Sequence, residues 1–123
     1  VAGFDILYAL QDVDFDRRTG LFSVPARFGV RAALWLSAFL HAAMLLLLAW
    51  LPSLYHPDHP AAGAAGLGAA YWVGWAGCLA LISYQHAVVR PGDLSRLDAA
   101  FFQANGALSV WLFGATAVAI LWP

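Results

Sequence analysis

Three stretches of this 123-residue chain are nearly free of charge, and each is long enough to cross a bilayer. Residues 30–51 (VRAALWLSAFLHAAMLLLLAWL) carry no charge after Arg31, and residues 61–89 and 99–122 contain no aspartate or arginine. A bilayer-spanning helix needs about 20 apolar residues. Lipid offers no water to the backbone, so such runs must satisfy their hydrogen bonds internally as helices. Composition agrees: 11% of the chain is charged, against about 25% for an average soluble domain, and mean hydropathy is +0.73. The expected fold class is an all-α membrane protein, a transmembrane helix bundle with spans at 30–51, 65–89 and 99–122. Signal peptides are shorter and lead into soluble sequence, which excludes that reading. The single cysteine, Cys78, excludes an internal disulfide and is read as a small packing residue.

The six arginines fall in two segments, Arg17, Arg18, Arg27 and Arg31 before the first complete span, and Arg90 and Arg96 between the later two. The intervening loop, PSLYHPDHPAAG, has none. By the positive-inside rule, the arginine segments are expected in the cytoplasm and the His/Pro loop outside. Trp50, Trp72 and Trp122 would then lie near the outer interface. Gly66, Ala70, Gly74 and Cys78 recur at four-residue spacing, a stripe that lets a neighbouring helix approach closely. The chain starts at Val1 inside an apolar helix and stops just after another. It is therefore expected to be the C-terminal piece of a larger membrane protein, inactive by itself.

The negative charge is concentrated elsewhere. DILYALQDVDFDRRTG, residues 5–20, holds four of the seven acidic residues, in a chain with no glutamate and no lysine. On a continuous helix at about 100° per residue, positions 5, 8, 12 and 16 fall within roughly 80° of one another. Asp5, Tyr8, Asp12 and Asp16 are thus expected on one face, with Asp14 turned toward water or Arg17 and Arg18. Gly20 suits a helix stop, and residues 21–29 read as a cytoplasmic connector. Two carboxylates one turn apart offer hard oxygen donors to magnesium, which takes one or two carboxylates and keeps room for water and substrate phosphates. Near a helix C-terminus, unpaired acids would repel one another and oppose the dipole. A solvated acidic helix end paired with Arg17 and Arg18 is the plain alternative.

The segment DILYALQDVDFDRRTGLFSVPARFG resembles the second aspartate-rich motif of the UbiA superfamily of intramembrane prenyltransferases. Its pattern, D-x-x-Y-A-x-x-D-x-x-x-D-x-x-x-G, is met by Asp5, Tyr8, Ala9, Asp12, Asp16 and Gly20. The 4-hydroxybenzoate polyprenyltransferase-like branch, used in ubiquinone and menaquinone synthesis, is the most similar, and NGALSV in the last span resembles it too. The resemblance implies a nine-helix bundle around a cytoplasmic cavity, of which this chain would cover roughly the last three to four helices. It implies magnesium-dependent transfer of an isoprenoid chain from a prenyl diphosphate to an aromatic acceptor such as 4-hydroxybenzoate. Carried over by position, Asp12 and Asp16 would hold the metal and the diphosphate, while Asp5 and Tyr8 would line the catalytic cavity. The superfamily's first motif, N-D-x-x-D-x-x-x-D, does not occur in these residues. It would belong to missing N-terminal helices of the same protein.

Other residues carry weaker signals. Arg27 is a candidate diphosphate ligand, because guanidinium matches phosphate geometry; Arg27 and Arg31 serve equally as topology anchors. His56, Asp58 and His59 read as a loop rather than a zinc site. His41 is expected to make an interhelical hydrogen bond, and Asn105 and Ser109 to act as packing contacts. Ser83 to His86 ends the middle span near the expected cavity mouth, where Gln85 or His86 would touch substrate or anchor the interface. A cation-binding or transport protein without catalysis is the alternative function. The later spans contain no acidic residue to continue a conduction path, which favours the enzyme. The expected partners are a prenyl diphosphate, an aromatic acceptor and the lipid bilayer of a prokaryotic inner membrane, with no nucleic acid.

Overall fold

A computed structural model describes residues 1–54, 67–98 and 103–121. Its helices run α1 (Ala2–Tyr8), α2 (Val13–Thr19), α3 (Val24–Phe28), α4 (Val30–Trp50), a 3-10 turn at Leu51–Leu54, α5 (Gly68–Val88) and α6 (Ala104–Leu121). The described residues contain no strand pairing beyond an isolated bridge between Arg90 and Asp93. The three segments expected to span are helical in their described residues, as α4, α5 and α6. Residues 65–66, 99–102 and 122 of those spans lie outside the described residues, as do Gly66, Trp122 and the His56/Asp58/His59 loop.

Val30–Leu54 and Ala104–Leu121 are long and apolar enough to cross a membrane, with mean hydropathies of 2.1 and 1.6. Helix α5 matches α4 at 21 residues, but Ser83, Tyr84, Gln85 and His86 dilute its apolar character. At 1.5 Å per residue, 21 residues reach about 31 Å, close to the hydrocarbon thickness. Trp35, Phe39, Leu46, Leu47, Val110 and Phe113 all stand exposed on the outer faces of α4 and α6. Water does not tolerate an apolar surface of that extent, and a bilayer does.

Neighbouring helices run antiparallel. Tyr71 donates its hydroxyl to the Leu48 carbonyl at 2.7 Å, and Trp75 its indole N–H to the Leu45 carbonyl at 2.9 Å. Both bonds tie α5 to α4 by side chains that carry a polar tip on an apolar body. Trp111 of α6 donates to the Gly74 carbonyl of α5 at 3.1 Å. A Cβ at Gly74 would stand 2.5 Å from the Ala115 Cβ, so the small-residue stripe does admit α6 at close range. Cys78 is buried and unoxidised among Phe4, Leu45, Ile82 and Leu108, a packing residue.

Helix α1 lies against α4 with its start at mid-span. Gly3 faces His41, whereas Leu7 packs with Ala33 and Leu34 near the arginine-bearing end. The residues between α5 and α6 close that end: Val89 and Leu97 join Leu7 and Leu10 in one buried cluster.

Residues 21–29 are more ordered than a plain connector. Ser23 caps α3 by accepting the Ala26 N–H at 3.3 Å, and Pro25 occupies its first turn. Gly29, at φ 87° and ψ 159°, then turns the chain into α4. Only glycine adopts that backbone at no steric cost.

Candidate functional site on the aspartate segment

The aspartate segment is not one continuous helix. Ala9–Asp12 interrupts it as a tight turn, in which the amides of Leu10 and Gln11 bond to the carbonyls three residues back, Leu7 and Tyr8, at 3.1 and 3.0 Å. Three residues per turn is 3-10 geometry. Its effect is visible in the buried row Phe4, Leu7, Leu10, Val13 and Asp16, all spaced by three. In an α-helix such a row would drift by about 60° at each step. The interruption resets it. Tertiary contacts hold the turn in place: Leu10 is 1% exposed in the cluster with Val89 and Leu97, and the Gln11 amide donates to Asp98 at 2.6 Å.

The predicted four-residue stripe therefore splits. Asp5, Tyr8 and Asp12 are exposed, while Asp16 retains only 9% exposure in the inner row. Asp14 is exposed, as expected. The dipole expectation is also corrected. Asp12 is the N-cap of α2, Asp14 and Asp16 lie in its first turn, and Arg17 and Arg18 in its last. This order complements the dipole instead of opposing it, because the break creates a new helix N-terminus beside the acids. Gly20 ends α2 in the left-handed conformation at φ 73°, and the Gly20 and Leu21 amides both close onto the Asp16 carbonyl. Helix α3 docks alongside, with Arg17 donating to the Pro25 carbonyl at 3.4 Å.

Arg27 is exposed, its guanidinium 5.8 Å from the Phe28 ring centre, and Arg31 is exposed at the start of α4. Among the described residues, no group of three or more His, Cys, Asp or Glu side chains converges as a metal cage. Asp12 and Asp16 are the carboxylates that could hold magnesium, which takes one or two carboxylates and leaves room for water and phosphate.

The interior holds polar residues that the sequence placed differently. His41 Nδ1 and His86 Nε2 lie 3.0 Å apart, linking α4 to α5. The expected interhelical role of His41 is observed, but His86 is its partner and not an interfacial anchor. Gln85 is fully buried, with neither side-chain polar atom bonded, so it cannot sit at an open cavity mouth. Ser83 and Tyr84 take the exposed positions. Ser109 bonds the Asn105 carbonyl of its own helix at 2.9 Å and so makes no interhelical link through that bond. Ser37 donates to the Gly3 carbonyl at 2.8 Å, a contact that sequence reading missed. Its signal was the i,i+4 spacing of Ser37 and His41, which puts both polar groups on one face of an apolar helix.

These features define a helical membrane protein with an acidic segment packed beside the arginine-bearing end of its first long apolar helix. The UbiA prenyltransferase family model matches residues 1–107, and the chain belongs to that family. It is 34% identical over 116 residues to a 4-hydroxybenzoate octaprenyltransferase of Cupriavidus necator, covering 94% of this chain and 36% of that protein. A 4-hydroxybenzoate octaprenyltransferase of Chromohalobacter salexigens is 32% identical over 120 residues, covering 98% of this chain and again 36% of the relative. The chain thus spans about a third of the length of these curated relatives. No solved structure matches it.

Proposed function

We propose that this chain is the aspartate-bearing part of a membrane prenyltransferase that moves an isoprenoid chain from a prenyl diphosphate to an aromatic acceptor in quinone biosynthesis. One observation carries the reading. In a member of this family, Asp5, Tyr8 and Asp12 are all exposed along α1 and the turn that follows it, with Asp16 in the first turn of α2. 4-Hydroxybenzoate is the proposed acceptor, after the names of the relatives.

Asp12 and Asp16 would hold magnesium, which, when bound, would offset the charge of the departing diphosphate. Asp12 at the α2 N-cap is an anchor point, because the helix that starts there is closed by Gly20 at its C-terminus and docked on α3. Arg27 would approach the diphosphate oxygens from that same connector. Asp5 lies deeper, toward mid-span, where an exposed carboxylate can stabilise positive charge developing on the isoprenoid carbon or accept the proton released by the acceptor. Tyr8, one turn from Asp5 and Asp12, would line the path between them. Surrounding apolar helices would exclude water from the reacting carbon. The site would open toward the cytoplasm of a prokaryotic inner membrane, on the side where the arginines gather.

The test uses membranes containing the full-length protein, supplied with labelled prenyl diphosphate, magnesium and 4-hydroxybenzoate. A prenylated aromatic product that disappears with EDTA and with Asp12→Asn supports the reading. Diphosphate binding without product redirects the search to dihydroxynaphthoate-like or other acceptors. No magnesium-dependent binding at all would overturn it.

A further inference from the structure

We infer that Ser37, His41 and His86 form a positioning lock that sets the depth and rotation of α1, and through it the placement of Asp5. The inference rests on the prenyl-transfer reading for its catalytic consequence and on geometry for the lock itself.

Gly3 is the contact point. Ser37 of α4 donates its hydroxyl to the Gly3 carbonyl at 2.8 Å. The His41 ring fills the space a side chain would need there, since a Cβ on Gly3 would stand 2.7 Å from its Nε2 and 2.9 Å from its Cδ2. Phe4 seals the ring edge-on, with centroids 4.4 Å apart. His86 of α5 grips the opposite side of the imidazole at 3.0 Å. Three helices thus meet on one ring. His41 Nε2 is buried without a partner. The His41–His86 bond needs one proton between the two nitrogens. If His86 supplied it, neutral His41 would keep its own proton on Nε2, as a buried donor with no acceptor. We therefore assign the proton to His41 Nδ1, which leaves only a lone pair facing Gly3.

The lock matters because it is directional where the apolar packing of α1 is not. Phe4 and Leu7 pack in apolar clusters, and in lipid such packing tolerates sliding more readily than a hydrogen bond or a close backbone approach does. Asp5 follows Gly3 by two residues, about 200° around the helix, so the locked face and the acidic face are nearly opposite. Any rotation or lift of α1 at Gly3 is passed directly to Asp5. Asp12 ends the Ala9–Asp12 turn and is anchored separately by α2, Leu10 and Gln11, so it is insulated from that movement.

The experiment uses the full-length protein with Gly3→Ala, Ser37→Ala, His41→Ala and the Gly3→Ala/His41→Ala pair, with Gly92→Ala as an uncrowded control. Gly3→Ala is expected to lower kcat by about tenfold or more with KM for prenyl diphosphate held within about twofold, because small misplacements of a reacting group are costly. Removing the His41 ring should recover part of the Gly3→Ala loss by relieving the clash. A second readout needs no turnover. In a protein cleared of other cysteines, Asp5→Cys is labelled with a maleimide, and its rate should change severalfold in Gly3→Ala and not in Gly92→Ala. Unchanged kcat and unchanged labelling in folded Gly3→Ala protein would overturn the lock. So would a rise in KM alone, or a loss of activity that merely follows the amount of folded protein. If the unmutated protein transfers no prenyl group, the functional reading fails and the labelling alone decides the lock.

Discussion

Trp111 of α6 donates its indole N–H to the Gly74 carbonyl of α5 at 3.1 Å, and the same edge of the ring covers the Cα of Gly77 so closely that no side chain fits between them. One indole therefore fixes both the register and the separation of the two helices. Gly77→Ala should destabilise the protein in detergent by about 1–3 kcal/mol, the usual cost of overpacking. Trp111→Phe, which keeps most of the ring and loses the donor, should cost less, about 0.6 kcal/mol as for an average intramembrane hydrogen bond. Unfolding in a denaturing detergent series measures both, and equal effects would contradict the steric account.

Asp12→Asn and Asp16→Asn are expected to abolish magnesium-dependent transfer, by about a hundredfold or more, while membrane insertion is unchanged. Product formation in membranes and the amount of inserted protein are measured side by side. Activity retained in either variant would remove that residue from the metal set.

Asp5→Asn should separate from those two. Its carboxylate lies deeper than the proposed diphosphate site, so kcat should drop about tenfold to a hundredfold with KM for prenyl diphosphate nearly constant. A raised KM at constant kcat would move Asp5 into the diphosphate site.

Outside the spans, Asp93 accepts the Ser95 hydroxyl at 2.6 Å and the Ser95 amide at 3.0 Å. These bonds, the hydroxyl first, hold its carboxyl below the ordinary 3.8, with Arg96 and Arg90 adding to the effect. A depressed folded pKa contributes stability above the unfolded value, and that contribution is lost as pH falls through the folded one. The α5–α6 turn should therefore keep this interaction at neutral pH and lose it only below the normal carboxylate range. Ser95→Ala should bring the Asp93 pKa back up toward 3.8. Carboxyl carbon NMR against pH reads the shift, and an unmoved midpoint would contradict the hydrogen-bond origin.

Much of this protein is written in its sequence. Charge-free runs of about 20 residues have one solution in lipid, so α4, α5 and α6 follow from hydropathy and length alone. The small residues Gly74 and Cys78 announced a close helix contact, Gly20 announced a helix stop, and the spacing of Asp5, Tyr8, Ala9, Asp12, Asp16 and Gly20 was enough to show the family resemblance. All of these are local signals, set by backbone chemistry or by periodicity along one element.

The tertiary structure decided the rest, because it depends on which groups meet across helices. A uniform helix put four residues on one stripe; Leu10 reaching Val89 and Leu97, and Gln11 reaching Asp98, broke that helix, drew Asp16 inward and left Asp5, Tyr8 and Asp12 outside. The same break turned an acidic helix end into a helix beginning. His86 looked like an interfacial residue until His41, 45 positions away, supplied its partner. Hydropathy counts how apolar a segment is, but it cannot show where a polar group inside lipid finds its hydrogen bond. That choice belongs to the packed bundle.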